Sequence, residues 1–278
     1  LAMDHIALEV MREEIHAYLS GSAEPLAAPV PYRNYVAQTR LGVSEQEHEA
    51  FFRQMLADID EPTLPFALQN VQGDGSNIEE AEQTLTSDLY QRLQQQARLA
   101  GVSVASLIHL AWAQVLAATS GQPSVVFGTV LMGRMQGGAG ADRALGVFIN
   151  TLPLRVDVDE VARAAVKSTH ARLTALLAHE HASLALAQRC SGVAAPAPLF
   201  SALLNYRHSD DVEQKTSRQT WQGIETLANE ERTNYPFTLS VDDLGTGLRL
   251  TTRTLSNIGA QRICSYVQSA LNGLVEAL

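Results

Sequence analysis

Cysteine is scarce in this chain. Cys190 and Cys264 are the only two among 278 residues, they lie far apart, and no C-x-x-C pairing exists. Neither a disulfide framework nor a zinc site is indicated, and a reducing, cytoplasmic setting is expected. Basic charge is short too. The 20 Lys and Arg are scattered and stand against 30 Asp and Glu, for a formal net charge of −10. Phosphate binding needs clustered cations, so a nucleic-acid partner is not expected. No run approaches the roughly 20 apolar residues of a membrane helix, and Asp4, Glu9, Arg12, Glu13 and Glu14 are not a signal-peptide pattern, so no membrane partner is expected either. The common short catalytic signatures are absent: there is no G-x-S-x-G elbow, Walker loop, G-x-G-x-x-G turn or H-E-x-x-H helix. His179, Glu180 and His181 could in principle ligate a metal, but adjacent side chains do not converge and no third ligand is spaced to help, so no metal is expected. No repeat or low-complexity tract is visible. The 46% hydrophobic composition that remains is enough to bury a substantial core.

The most telling stretch runs from Phe127 to Val156, FGTVLMGRMQGGAGADRALGVFINTLPLRV. Val125, Phe127, Thr129 and Leu131 alternate within a β-branched run and predict a buried strand, and Gly146–Val158 predicts a second. Gly133, Gly137, Gly138 and Gly140 between them break both helix and strand patterns, so a long pliable loop is expected, more mobile over Met132–Ala144 than the strands beside it. No Lys-Ser/Thr follows the glycines, which excludes phosphate cradling. The second strand carries Phe148, Asn150, Thr151 and Arg155, a mixture of apolar and polar groups in core-like surroundings, and the polar ones need partners elsewhere.

Helical periodicity marks Ile6–Leu19, with Asp4 as a candidate N-cap, then Tyr32–Arg40 and Ser44–Asp58, where Ser44 and Glu47 form a capping box. After a loop over Glu61–Glu80, a short strand at Gln83–Thr86 leads to a helix capped by Ser87 and ending at Gly101. The next helix, capped by Ser103, ends at Gly121 and is apolar nearly all round, hence central. His109 and Trp112 on it read as packing residues. A long helix over Glu160–His179 follows the strand pair. Strand patterns at Leu199–His208, Thr220–Leu227, Phe237–Val241 and Leu248–Thr254 precede a closing helix over Ile258–Leu278. The order of elements predicts an α/β (α+β) class with a mixed sheet and packed helices.

Several separated segments resemble the successive motifs of condensation domains of non-ribosomal peptide synthetases. PYRNYVAQ (Pro31–Gln38) is similar to the family's Tyr-x-Asp-Tyr-Ala segment, with Asn34 in place of Asp. LGVFINTLPLR (Leu145–Arg155) matches Gly-x-Phe-Val/Ile-Asn-Thr-x-x-x-Arg at Gly146, Phe148, Asn150, Thr151 and Arg155. FGTVLMGR resembles the preceding strand, which ends in a Gly-Arg pair, here Gly133-Arg134. HEHASLA (His179–Ala185) resembles a degenerate His-Gln-Asp-x-Pro-Phe-Glu, and APAPLFSALLNY resembles Arg-Asn-Pro-Leu-Phe plus a strand, keeping Pro198, Leu199, Phe200 and Asn205. LAMDHIALEV resembles the end of the active-site motif His-His-x-x-x-Asp-Gly, with Asp4 as the Asp, His5 in place of the Gly, and the His pair falling ahead of Leu1. The chain, which enters a helical pattern almost at its first residue, therefore reads as a piece of something longer. His5 and NYPFTLSVDD (Asn234–Asp243) are also similar to the dual epimerising and condensing subgroup.

The resemblance implies a chloramphenicol-acetyltransferase-like fold of two subdomains facing across a tunnel. Residues 1–45 would be the remnant of the N-terminal subdomain and 46–278 the complete C-terminal one. It implies amide formation between carrier-bound donor acyl or peptidyl and acceptor aminoacyl thioesters. The partners would be upstream and downstream peptidyl carrier proteins bearing 4′-phosphopantetheine, beside an adenylation domain, with no cofactor bound by the chain itself. It assigns Asp4 a structural part in the active-site motif and Arg155, Asn150, Thr151, Phe148, Gly146 and Asn205 supporting parts. Gly133, Arg134, Gly137 and Gly138 would form a floor loop crossing the tunnel, and the region near Thr220–Phe237 a latch crossing back. As Arg155 is the basic residue within the strand motif, Asp4 is expected to pair with it. Without the His pair the chain alone is expected to be inactive. A CoA-dependent acyltransferase of the same fold and a non-catalytic carrier-protein docking domain are the alternatives.

Overall fold

The apolar helix at the centre of the sequence is also the centre of the structure, a computed structural model that describes residues 3–21, 26, 28–69, 71, 77–134, 138–208 and 233–278. Its helices are α1 (His5–Leu19), α2 (Tyr32–Leu41), α3 (Glu45–Leu56), α4 (Ser87–Ala100), α5 (Val104–Ser120), α6 (Ala162–Leu177), α7 (Leu184–Arg189) and α8 (Ala260–Ala277). The strands are β1 (Ile78–Thr84), β2 (Ser124–Leu131), β3 (Asn150–Asp157), β4 (Ala202–His208), β5 (Phe237–Asp243) and β6 (Leu248–Leu255). They form a six-stranded sheet in the order β1-β6-β5-β4-β2-β3. β4 runs parallel to both β2 and β5 and the other pairings are antiparallel, so the sheet is mixed as the element order predicts. Among the described residues no single helix is long and apolar enough to cross a membrane.

One face of the sheet carries Phe127, Leu152, Leu154, Leu204, Leu239 and Leu250, all wholly buried, and α5 and α8 pack against it. The Trp112 ring stacks on Phe237 with centroids 5.1 Å apart. His109, in the same layer, satisfies both ring nitrogens, Nδ1 against the Ala105 carbonyl at 2.6 Å and Nε2 against Thr129 Oγ1 at 2.9 Å. Burial pushes its pKa down to about 4, so it is a neutral packing residue.

Local chemistry decides the boundaries. The Ser44–Glu47 capping box starts α3 as expected. Thr86, and not Ser87, caps α4, because its extended backbone lets the hydroxyl accept from the Leu89 N–H. β1 begins at Ile78, earlier than the apolar pattern suggests. It is an edge strand, where Glu79, Glu80 and Glu82 guard the open ladder with charge, and Glu80 pairs with Arg253 on β6. Pro153 in β3 is tolerated for the same positional reason, since β3 is the other edge. The second predicted strand starts at Asn150 instead of Gly146, because the backbone of 146–148 is engaged elsewhere. The expected strand at Thr220–Leu227, with most of the latch region, lies outside the described residues.

Candidate active site

The β2–β3 hairpin has two ends, and the polar residues of the central stretch divide between them. At the loop end, Asp4 is buried, its side chain 1% exposed. Its Oδ1 accepts from the Ala7 N–H at 2.9 Å, the N-cap bond that starts α1, and from Arg134 Nη2 at 2.6 Å. Oδ2 accepts from the Phe148 N–H at 3.1 Å, while the Asp4 N–H donates to the Gly146 carbonyl at 3.0 Å. Asp4 is thus both a helix cap and one half of a buried ion pair. The partner, however, is Arg134 and not Arg155.

The misassignment has a simple geometric cause. Phe148 and Arg155 are seven residues apart, about 23 Å of extended chain at ~3.3 Å per residue, so one strand cannot bring both to Asp4. Arg155 sits at the far end of β3, where it donates to Asp58 at 2.6 Å, Asp157 at 3.0 Å, Ser124 Oγ at 3.1 Å and the Met55 carbonyl at 3.3 Å. Arg172 closes that cluster with a 2.5 Å contact to Asp157.

Arg134 is fixed through both terminal nitrogens. Nη1 donates to the Ala141 and Ala144 carbonyls, so the side chain threads the loop that follows it, and the guanidinium lies 3.9 Å above the Phe148 ring centroid. Ala141, Ala144 and Phe148 are buried together, against Val30, Tyr32 and Tyr35. The later part of the glycine loop is therefore packed, and its side chains are small because neighbours come close. Gly137, assigned to the floor loop, lies outside the described residues. Gly133 and Gly146 are crowded beside the strap. Gly133 has φ +66°, and a Cβ there would stand 1.9 Å from the Phe148 carbonyl oxygen. A Cβ on Gly146 would stand 2.2 Å from Tyr32 Cδ2.

The strap 146–148 is held from above by α2. Tyr32 donates to the Val147 carbonyl and Tyr35 to the Phe148 carbonyl at 3.4 Å, which is why these backbone groups do not join the ladder. Burial raises the Tyr35 pKa to about 12, with Tyr32, Glu180 and Asp4 adding to the effect, and burial followed by Asp4 raises that of Tyr32. Both phenols stay protonated donors.

Below the strap, Asn150 clamps the turn between α6 and α7. Its Nδ2 donates to the Glu180 and Ala182 carbonyls at 2.9 and 2.8 Å, and its Oδ1 accepts from the Thr151 N–H. His179 and His181, close in the chain, turn to different partners. His179 Nδ1 lies 2.9 Å from His48 Nδ1 and its ring stacks on Phe51. Burial lowers both of these histidine pKa values, and one of the facing nitrogens carries the proton. His181 Nε2 lies 3.2 Å from the Gly133 carbonyl, and its ring meets Tyr35 edge-on. Thr151 and Asn205 are on the opposite sheet face, Thr151 across from Val130 and Asn205 across from Ser240. They do not touch the Asp4 cluster. The residues that the sequence motifs had not connected with Asp4 are Tyr32, Tyr35 and His181; the Tyr-x-x-Tyr spacing on one helix face was the available signal for the first two.

The family model of the condensation domain matches residues 1–277. The chain belongs to the condensation-domain family. Two relatives from Mortierella alpina, malpibaldin synthetase and malpinin synthetase, are 55% and 54% identical to it over 276 residues, 99% of this chain but only 5% and 4% of theirs. A linear gramicidin synthase of Brevibacillus parabrevis is 30% identical over 242 residues, 83% of this chain and 3% of its own. The chain thus spans about a twentieth of the curated relatives it matches. Among solved structures, the condensation domain of the monacolin K polyketide synthase MokA aligns with a TM-score of 0.74 at 18% identity, over 99% of this chain and 67% of that one. The first condensation domain of the CDA synthetase aligns with 0.72 at 18%, over all of this chain and 62% of that one. The fold of this condensation domain is accordingly the chloramphenicol-acetyltransferase-like one that the motifs imply.

Proposed function

We propose that this condensation-domain chain is part of a non-ribosomal peptide synthetase and takes part in amide-bond formation. The amine of an acceptor aminoacyl thioester attacks the carbonyl carbon of a donor acyl or peptidyl thioester. A C–N bond forms, the C–S bond breaks, the amine gives up a proton and the donor thiol departs. Both substrates would be carried on 4′-phosphopantetheine arms of upstream and downstream peptidyl carrier proteins, next to an adenylation domain, in the cytoplasm. Residues 1–45 would belong to one subdomain and 46–278 to the other, with the reacting groups between them.

The observation that supports this reading best is the four-way fixation of Asp4. In the motif His-His-x-x-x-Asp, a rigid Asp would hold the residues of the motif that precede it near the loop end of the sheet. A positioned histidine there can take the amine proton, a step worth about 10²- to 10⁴-fold. Holding two tethered reactants together out of water contributes more, on the order of several kcal/mol. The eight histidines of this chain include no adjacent pair, so we infer that it forms no amide bond by itself.

Loading donor and acceptor carrier proteins and following transfer by mass spectrometry tests the reading. A synthetase carrying this chain behind an intact His pair gives amide product, and this chain alone gives none above background. Product with acyl-CoA and not with loaded carriers would replace the reading by a CoA-dependent acyltransferase, and no product at all by a docking domain.

A further inference from the structure

The turn at residues 179–181, which resembles a degenerate His-Gln-Asp, reads His-Glu-His. We propose that His181 is a positioning residue for the active site, acting through Gly133 and Arg134 on Asp4. This rests on the reading of Asp4 as the end of the active-site motif.

The contacts form an unbroken series. The Asn150 amide fixes the turn by donating to the carbonyls on either side of His181, those of Glu180 and Ala182. The turn is anchored from its other side by His179, which stacks on Phe51 of α3 at 4.1 Å. His181 is 10% exposed and has little freedom, with Glu180 Oε1 3.6 Å from its Nε2 and the Tyr35 ring 5.2 Å away edge-on. From that fixed position Nε2 donates to the Gly133 carbonyl. Gly133 has no side chain to anchor it, so its backbone is held by what packs against it, the Phe148 carbonyl and the Tyr35 hydroxyl together with the His181 ring nitrogen. The next residue is Arg134, whose guanidinium reaches Asp4. Removing the His181 donor frees the carbonyl at the root of the loop and loosens the backbone from which the Arg134 guanidinium reaches Asp4.

Gln and Phe separate this role from simple packing. His181→Gln keeps an N–H donor near Nε2, whereas His181→Phe keeps the ring edge against Tyr35 and removes the donor. In the full chain, His181→Phe is expected to speed amide exchange roughly tenfold over residues 138–148 and to leave that of β4–β6 unchanged, while His181→Gln stays near native. In the synthetase carrying the chain, His181→Phe is expected to lower kcat for amide formation by roughly ten- to a hundredfold with KM for the loaded acceptor nearly constant. Unchanged exchange in His181→Phe, or exchange in His181→Gln as fast as in His181→Phe, overturns the inference. Absence of product from the native synthetase would instead overturn the functional reading, and the exchange arm would still decide the role of His181.

Discussion

The two ends of the β2–β3 hairpin hold carboxylate–guanidinium clusters of the same chemistry in different surroundings. At the loop end, Asp4 and Arg134 are 1% and 7% exposed, and the aspartate also accepts backbone N–H bonds. At the far end, Arg155 is 19% exposed and its partner Asp58 is 67% exposed, with Asp157 shared between Arg155 and Arg172. A buried ion pair is a poor source of net stability, since desolvation offsets most of the attraction, but breaking one is costly and its geometry is unforgiving. A half-exposed cluster is cheap to break and screened by salt. The first kind suits a site that must hold one arrangement; the second ties the end of α3 and α6 to a sheet edge.

That contrast sets the order of expected effects. Arg134→Ala strands the Asp4 carboxylate in the interior and should cost about 3 to 5 kcal/mol, lowering the thermal midpoint by roughly 10 °C in a calorimetric scan, with little dependence on salt. Gly146→Ala drives a methyl into the Tyr32 ring and should cost about 1 to 3 kcal/mol, with Tyr32→Leu partly restoring stability in the double variant. Arg155→Ala should cost only about 1 to 2 kcal/mol, less at high salt, because Asp157 keeps Arg172. Asp58→Asn should fall below about 1 kcal/mol. A salt-sensitive Arg134→Ala or a salt-insensitive Arg155→Ala would erase the distinction.

Acid titration sharpens it further. The hydrogen bond from Arg155 holds the Asp58 carboxyl below the usual range, and Asp157 lies low because the bonds from Ser124, Arg172 and Arg155 outweigh its burial. A depressed carboxylate contributes stability above its unfolded pKa of about 4 and loses it as pH falls through the folded value. Urea unfolding below about pH 4 should therefore show a shallower acid loss in Arg155→Ala than in the native chain. An identical slope would mean that Arg155 does not hold these carboxyls low.

Much of the fold could be read in the sequence because its central elements are periodic and bounded by caps. The nearly all-round apolar pattern of α5, the capping box at Ser44 and the β-branched run of β2 each had one reading. β1 escaped in part because an edge strand rich in glutamate has no apolar alternation, and α7 because six residues are too few to show a helical period. At the loop end, Asp4 meets Arg134 and the Phe148 N–H, while Asn150 holds the neighbouring turn at Glu180 and Ala182. The Asp4 partner was misread because a motif is a string, whereas a strand is ~3.3 Å longer with every residue. His181 stood out only as a rejected metal ligand and as part of a degenerate motif, and its contact with the Gly133 carbonyl gave no signal, since it depends on where a turn from another part of the chain lies.

Whether Asp4 is held by Arg134 is the point on which the rest depends, and double-mutant cycles in thermal unfolding test it most directly. Asp4→Asn combined with Arg134→Gln should be strongly non-additive, with a coupling of about 2 kcal/mol or more, whereas Asp4→Asn combined with Arg155→Gln should be additive within about 0.5 kcal/mol. Coupling to Arg155 with additivity to Arg134 would contradict the account.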